Sequence, residues 1–140
     1  MPKSTGNSTN PSIPMLVDTH ILIWIAEDDP RLGKRARELI GSRHPVYYSS
    51  MSVLEMVIKK MKGHLAVGDD ICGHLDGEGL RQLPLVGEHS ESIAAFPELI
   101  GHDPFDRVLL AQAKVERLDF LTADRRLLAL DYDWILDATH

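Results

Sequence analysis

The stretch MLVDTHILIWIAED, residues 15–28, places a short apolar run directly before a longer amphipathic one. Residues 15–18 have the length and apolar character of a buried strand, and they end in an acid, Asp18. The apolar residues that follow, Ile21, Leu22, Trp24 and Ile25, are spaced as in a helix that packs on that strand. The stretch therefore predicts a strand that leads directly into a helix.

The same order recurs along the chain. PVYYSS (residues 45–50) is rich in strand-favouring residues and precedes SVLEMVIKKMKG (52–63), a predicted helix that Ser52 opens and Gly63 ends. DFLTAD (119–124) predicts a strand, RRLLALD (125–131) a short helix and WILDA (134–138) a last strand. KRARELIGS (34–42) and DPFDRVLLAQAKVERL (103–118) predict two further helices. This alternation predicts an α/β fold with a mostly parallel central sheet flanked by helices.

The middle of the chain has weaker patterns. We predict a short helix near residues 71–75 and a strand at 83–86. EHSESIAAFPELI, residues 88–100, is predicted to be helical up to Pro97.

Composition indicates one compact domain. The chain has 140 residues, of which 44% are hydrophobic and 26% charged, and no apolar run is long enough to span a bilayer. Residues 1–13 are polar and lack the hydrophobic middle of a secretion signal, so we expect a flexible tail followed by a single domain over residues 14–140. Cys72 is the single cysteine, which excludes an internal disulfide and fits a reducing cytoplasm.

The net charge of −6 argues against a protein that holds nucleic acid by its overall field, because that mode relies on clustered Lys and Arg. Any contact with nucleic acid must therefore be local.

Four acids stand at matching places in the predicted fold. Asp18 ends the first strand, and Asp124 follows the strand that contains residues 119–122. Glu55 and Asp106 are each predicted to lie in the first turn of a helix. In an open parallel sheet, strand ends and the helix starts that follow them face one edge, where ligands bind. We therefore expect the four carboxylates to lie together.

Such a cluster needs a positive partner, because each negative charge raises the cost of ionising the next. Mg²⁺ or Mn²⁺ is the natural candidate, since these hard cations take carboxylate oxygens, water and substrate phosphates as ligands. One or two ions in such a site can activate water and stabilise the charge that builds up on a phosphodiester under attack. The acids therefore predict the chemistry of a nuclease.

Structural roles are also available to these acids. Ser52 and Glu55 match a capping box, and Asp103 matches the N-cap of the long helix. Asp18 and Asp124 each precede a predicted helix that they can cap. No single acid decides between the two interpretations, but four acids at one edge favour the metal site.

The histidines form no paired metal-binding motif, and we expect surface or solvated roles for them. His102 is the exception to watch, because it adjoins the acidic start of the long helix. The chain has no serine nucleophile elbow and no phosphate-binding glycine-rich loop.

Four segments, taken together, carry a family resemblance: LVDTHILIW, SSMSVLEMVIKK, HDPFDRVLLAQA and FLTAD. In this order they resemble the PIN-domain ribonucleases, in particular the VapC-like toxins of bacterial toxin–antitoxin pairs. The resemblance implies a PIN-like three-layer α/β/α domain, Mg²⁺ or Mn²⁺ as cofactor and RNA as substrate. It also implies a homodimer and a small antitoxin whose tail covers the acidic pocket.

The resemblance also assigns residues. It makes the metal-binding and catalytic acids Asp18, Glu55, Asp106 and Asp124. Asp103 and Thr122 become accessory residues of the pocket, and we expect Lys59 or Arg107 to contact the RNA backbone.

Two other classes of function were weighed against the nuclease. An aspartate-nucleophile phosphatase needs a second acid two positions after Asp18, where this chain has His20. The alternative is a non-catalytic binding module, either PIN-like or receiver-like. A receiver would carry adjacent acids at the end of the first strand, and a silent PIN-like scaffold would be expected to have lost at least one of the four acids.

Overall fold

The computed structural model describes residues 10–140, which form five strands and seven α-helices. The strands are β1 (Met15–Val17), β2 (Val46–Ser49), β3 (Arg81–Leu83), β4 (Asp119–Thr122) and β5 (Ile135–Asp137). The helices are α1 (Thr19–Glu27), α2 (Lys34–Ser42), α3 (Ser50–Met61), α4 (Ile71–Gly77), α5 (Gly87–Glu91), α6 (Pro104–Glu116) and α7 (Arg125–Leu128). The first nine residues of the predicted tail lie outside the described part. The boundary between tail and domain therefore stays a prediction.

The strands form a parallel sheet in the order β3-β2-β1-β4-β5. β2 and β3 lie on one side of β1, and β4 and β5 lie on the other side. The order of the strands thus reverses between β1 and β4, and in open α/β sheets the crevice at such a point is where ligands bind. The α/β prediction is confirmed, and every pairing within residues 10–140 is parallel.

The buried side chains of the strands pack into two apolar clusters, one on each face of the sheet. Met15 and Val17 in β1 pack into one apolar cluster with helices α1, α2 and α4. Leu16, between them, packs into a second cluster with α6 and α7. Because successive side chains of a strand point to opposite faces, one three-residue strand serves both clusters. Helices therefore cover both faces, as in a three-layer α/β/α fold.

Local capping fixes where the long helix α6 begins and ends. The Asp103 side chain accepts a hydrogen bond from the backbone N–H of Phe105, and Pro104 occupies the first helical position. Arg117 ends the helix in a left-handed conformation with φ of 57°. Capping by an acid and a proline at the first position are both favourable, so this helix begins where the sequence predicted.

The start of α3 was predicted wrongly. Ser49, and not Ser52, is the N-cap, and its hydroxyl accepts a hydrogen bond from the backbone N–H of Met51. Glu55 therefore lies in the second turn and cannot complete a capping box with Ser52. The Ser52 hydroxyl instead accepts a hydrogen bond from the Thr19 hydroxyl at 2.8 Å. This change removes the capping role that had been the main structural explanation for Glu55.

The segment between α4 and α6 also differs from its prediction. β3 covers Arg81–Leu83, two residues earlier than the predicted strand at 83–86. The predicted helix over residues 88–97 is divided into α5 and a 3₁₀ helix at Ser92–Ala95, and a second 3₁₀ helix follows at Pro97–Leu99. None of the helices within residues 10–140 combines the length and the apolar character needed to cross a bilayer.

Candidate active site

Asp18 stands at the carboxyl end of β1, where the sheet reverses its order. Its Oδ1 accepts a hydrogen bond from the backbone N–H of Thr19 at 2.7 Å, and its Oδ2 accepts one from the hydroxyl of Thr122 at 2.6 Å. Burial raises the pKa of the Asp18 carboxyl, although the two hydrogen bonds act in the opposite direction. Asp18 is the N-cap of α1, and it is also a buried acid at the expected edge of the sheet.

Thr122 connects two of the predicted acids. Its hydroxyl donates to Asp18 and accepts a hydrogen bond from the backbone N–H of Asp124 at 3.1 Å. Asp124 caps α7 through Oδ1, which accepts from the backbone N–H of Arg126 at 2.8 Å. Its Oδ2 lies on the other side, 3.2 Å from Nε2 of His102. One carboxylate thus caps a helix with one oxygen and faces the cluster with the other.

Glu55 reaches the same region from α3. It is buried, and its Oε2 pairs with Nζ of Lys59, one turn later, at 3.1 Å. Its Oε1 is buried without a hydrogen-bond partner among the residues that the structure describes. A buried carboxylate oxygen without a partner is costly, so this atom is a candidate ligand for a cation.

Asp106 lies in the first turn of α6 and shows how closely the acids are grouped. Its pKa is raised to about 8, first by burial and then by the negative charges of Asp18, Asp103, Glu55 and Asp124, in that order. Like charges disfavour one another's ionisation only at short range. The three other acids predicted from the sequence, together with Asp103, therefore share one electrostatic environment with Asp106.

His102 lies between two of the acids. The sequence did not predict this position. Its Nε2 is 3.2 Å from Oδ2 of Asp106 and 3.2 Å from Oδ2 of Asp124. The residue is only 8% exposed. The position of His102 directly before Asp103, at the acidic start of α6, was the sequence signal that set it apart from the other histidines. The expected surface or solvated role is wrong for His89, which is buried and lies 2.7 Å from a carboxylate oxygen of Glu116.

The predicted accessory and substrate-binding residues fall into different environments. Thr122 is buried and bonded within the cluster, whereas Asp103 is exposed and caps α6. Lys59 is held by Glu55, and Arg107 has its Nε buried without a partner among the described atoms. The proposed contacts of Lys59 and Arg107 with RNA stay predictions.

A cavity of about 400 Å³ opens beside the acids. The residues that line it are Asp18, His20, Trp24, Asp106, Ala123, Asp124, Arg125 and Thr139. The cavity gives water and substrate a route to three of the four predicted acids.

Comparison with protein families identifies the fold. The model of the PIN domain matches residues 15–132. The chain belongs to the PIN domain family. This match covers most of the chain and includes all four predicted acids.

Solved structures similar to this PIN domain include three complexes. A toxin–antitoxin complex from Klebsiella pneumoniae matches with 20% identity and a TM-score of 0.54, over 79% of this chain and 86% of that one. VapBC2 from Rickettsia felis, bound to a DNA fragment from its promoter, matches with 14% identity and a TM-score of 0.65, over 89% of this chain and 97% of that one. FitAB bound to an IR36 DNA fragment matches with 21% identity and a TM-score of 0.55, over 90% of this chain and 99% of that one. At these identities the similarity concerns the fold. No curated protein matches the chain.

The side chains of this PIN domain fit a divalent cation. Asp18, Glu55, Asp106 and Asp124 offer carboxylate oxygens, the ligands that Mg²⁺ and Mn²⁺ prefer. The unpartnered Oε1 of Glu55 and the high pKa of Asp106 both indicate that the cluster lacks enough positive charge of its own. A divalent cation would offset the repulsion that raises the pKa of Asp106.

Proposed function

We propose that this PIN domain is a metal-dependent endoribonuclease and acts as the toxin of a toxin–antitoxin pair. The observation that carries the proposal is that Asp18, Asp106 and Asp124 line one cavity, with the buried Glu55 near enough to contribute to the raised pKa of Asp106. Acids that a protein holds this close together, beside an open cavity, are typical of a functional site. Membership of the PIN family makes nuclease chemistry the natural use of that site.

One or two Mg²⁺ or Mn²⁺ ions would be held by Asp18, Glu55, Asp106 and Asp124. When bound, such ions activate water and stabilise the negative charge that develops on a phosphodiester under attack. The protein's part is to hold the four carboxylates in place, and a bound cation would offset the repulsion that disfavours their ionisation.

Neighbouring residues position these carboxylates. The Thr122 hydroxyl fixes Oδ2 of Asp18, and the Asp18 Oδ1 is fixed by the first backbone N–H of α1. Lys59 binds Oε2 of Glu55, which leaves Oε1 as the atom directed to a ligand. Groups that orient the ligands of a metal are typically worth about 10–100-fold in affinity, so we expect Thr122 to strengthen binding of the ion by that factor.

RNA is the proposed substrate, and its contacts must be local because the chain carries a net charge of −6. Arg125 lines the cavity beside Asp124, and Arg107 follows Asp106 on α6. We expect both guanidinium groups to hold backbone phosphates next to the acids, and Arg125 would do so beside its present hydrogen bonds to Asp137 and Thr139. Lys59 would reach RNA only by leaving its 3.1 Å contact with Glu55.

The proposed antitoxin has support from the comparisons and from an apolar surface. Two of the similar structures are described as a toxin–antitoxin complex and as VapBC2. In this chain a second cavity, of about 500 Å³, lies between α1, α3 and α4, and its apolar wall includes Leu22, Ile23, Met56 and Ile71. Apolar grooves of this kind accept helical or extended segments of partner proteins.

We also propose a homodimer. Leu54, Val57 and Met61 expose 47%, 37% and 82% of their surfaces on α3, at a spacing that places them on one side of the helix. An exposed apolar stripe is a frequent feature of subunit interfaces. A cytoplasmic location stays a prediction from the sequence.

The direct test is cleavage of RNA in the presence of Mn²⁺. We expect the parent protein to cut RNA internally and Asp18→Asn to lose that activity, because the amide cannot replace the carboxylate charge. Asp28→Asn is the matched control, since Asp28 ends the same helix in a left-handed conformation that Asn also adopts. If Asp18→Asn cleaves as fast as Asp28→Asn, the assignment fails.

Binding of Mn²⁺ separates the nuclease from a silent scaffold. Titration calorimetry should detect Mn²⁺ binding to the parent protein and none, or far weaker binding, to Asp18→Asn. Equal heats from both proteins would favour the non-catalytic module.

A further inference from the structure

We propose that His102 supplies a nitrogen ligand to the cation at this centre and gives it a preference for Mn²⁺ over Mg²⁺. This inference rests on the proposed function, because it concerns the same cation. It adds a fifth side chain to the four acids and a specific expectation about which metal the site selects.

The first observation is the position of the imidazole. Nε2 of His102 lies 3.2 Å from Oδ2 of Asp106 and 3.2 Å from Oδ2 of Asp124, and these three atoms lie within 4.8 Å of one another. Two ligand atoms bound at right angles, each at about 2.1 Å from an ion, stand about 3 Å apart. The nitrogen therefore already has the separation from each oxygen that neighbouring ligands of one ion have.

The second observation is that the ring is held in place. His102 is 8% exposed, and its backbone N–H donates a hydrogen bond to the carbonyl oxygen of Leu99 at 2.8 Å. The next residue, Asp103, is fixed as the N-cap of α6. These contacts fix the backbone at His102, and burial leaves the ring little room to turn away, so an ion bound by both acids would meet Nε2.

The third observation concerns the other ring nitrogen. Nδ1 of His102 is buried and has no hydrogen-bond partner within residues 10–140. The partner of one nitrogen normally decides which nitrogen of a histidine carries the proton. Both carboxylates face Nε2 and no protein group competes from Nδ1, so Nε2 is the nitrogen that a cation held by these acids would meet after displacing any proton on it.

A separate atom also fits the role of a cation ligand. Oε1 of Glu55, on α3, is buried and unpartnered in the described part of the chain, and Glu55 as a whole is 7% exposed. This residue contributes to the raised pKa of both Asp18 and Asp106, so it lies close to the same cluster. The evidence for a bound cation therefore comes from Glu55 on α3 as well as from the acids around His102.

A nitrogen ligand changes which metal is preferred. Mg²⁺ and Mn²⁺ are both well served by carboxylates, carbonyls and water, but Mn²⁺, as a first-row transition ion, accepts an imidazole nitrogen more readily than Mg²⁺ does. An all-oxygen site would discriminate little between Mg²⁺ and Mn²⁺ on ligand type. With His102 in the ligand set, affinity should shift toward Mn²⁺.

Pulsed electron paramagnetic resonance of the Mn²⁺-loaded protein tests the ligand directly, because a nitrogen bonded to Mn²⁺ modulates the electron spin echo. We expect this modulation in the parent protein and its loss in His102→Gln. His20→Gln is the matched control, since His20 lines the same cavity but is exposed on α1. Modulation should persist in that control. Absence of nitrogen modulation from the parent protein overturns the proposal without the need for any variant.

Calorimetric titration gives the second readout. We expect His102→Gln to lose at least about tenfold in Mn²⁺ affinity while its Mg²⁺ affinity changes less. A gain in Mn²⁺ affinity would show instead that the ring occupies the place of the ion, and it would overturn the assignment. Unfolding in the presence of a chelator verifies that the variant is folded.

The failure of this inference can be distinguished from the failure of the proposed function. If the parent protein binds no Mn²⁺ at all, the metal-dependent function itself is wrong. If Mn²⁺ binds and Asp106→Asn abolishes binding, but nitrogen modulation is absent, only the role of His102 is wrong.

Discussion

Replacing Asp106 with Asn should remove one contribution to the effect of pH on the stability of the metal-free protein. In the parent protein the pKa of Asp106 is raised from 3.8 to about 8 by burial and by four neighbouring acids. The folded protein therefore keeps a proton that the unfolded chain releases over this interval. The stabilising contribution is complete below about pH 4 and is lost as the pH rises through about 8. An amide has no proton to lose, so the variant lacks this dependence.

The size of this pH effect follows from the shift in the pKa of Asp106. Each pH unit between the two pKa values is worth at most about 1.4 kcal/mol, which sets an upper limit near 6 kcal/mol. The Asp106 side chain keeps 20% of its surface exposed, and water screens the neighbouring charges. We therefore expect the free energy of unfolding of the parent, relative to Asp106→Asn, to fall on the order of 2 kcal/mol between about pH 5 and about pH 8.5.

The assay is urea denaturation with a chelator present, at several pH values in this range. Asp131→Asn is the control, because Asp131 is an exposed acid with a φ of 59°, a conformation that Asn also adopts. The control should follow the parent protein at every pH. A difference between parent and Asp106→Asn that stays constant with pH, within about 0.5 kcal/mol, would refute the electrostatic account of the cluster.

Three further predictions concern the core, the ligand geometry and the assembly. Asp119→Ala should lower the free energy of unfolding by about 3–5 kcal/mol, because it leaves the buried Arg43 without its 2.8 Å ion pair; urea denaturation would contradict this if the loss were below about 1 kcal/mol. Thr122→Val should weaken Mn²⁺ binding about 10–100-fold in calorimetry, because it removes the hydrogen bond to Asp18. Thr122→Ser keeps the hydroxyl and should bind Mn²⁺ as the parent protein does. Equal Mn²⁺ affinities of the Val and Ser variants would be evidence against this role of Thr122. Met61→Lys should convert the proposed dimer to a monomer in light scattering, since this residue is 82% exposed; an unchanged dimer would place the interface elsewhere.

The sequence predicted the fold because its strongest patterns are local. The apolar run ending at Asp18 can be buried only as a strand between helices, and the proline after Asp103 fixes the start of the long helix. The convergence of the acids also followed from the predicted topology. Parallel strands bring their carboxyl ends to one edge, so Asp18 and Asp124 had to lie near each other once both strands were placed in one sheet.

The remaining features depend on contacts that a local pattern does not contain. Residues 49–52 read SSMS, and three serines compete for the N-cap of α3, so tertiary contacts decide that Ser49 caps and Ser52 bonds to Thr19. His102 is buried beside Asp124, which lies 22 positions away along the chain, so a local pattern could not show this contact. The segment between α4 and α6 has short elements whose ends are set by packing, and there the predicted strand was displaced by two residues.

The most direct test of the central claim is a crystal of the protein soaked in Mn²⁺ and measured at a wavelength where manganese scatters anomalously. Our account predicts an anomalous peak among the carboxylates of Asp18, Glu55, Asp106 and Asp124 at the carboxyl edge of the sheet. A fully soaked crystal without a peak there, or with manganese bound only at other acids of the surface, would contradict it.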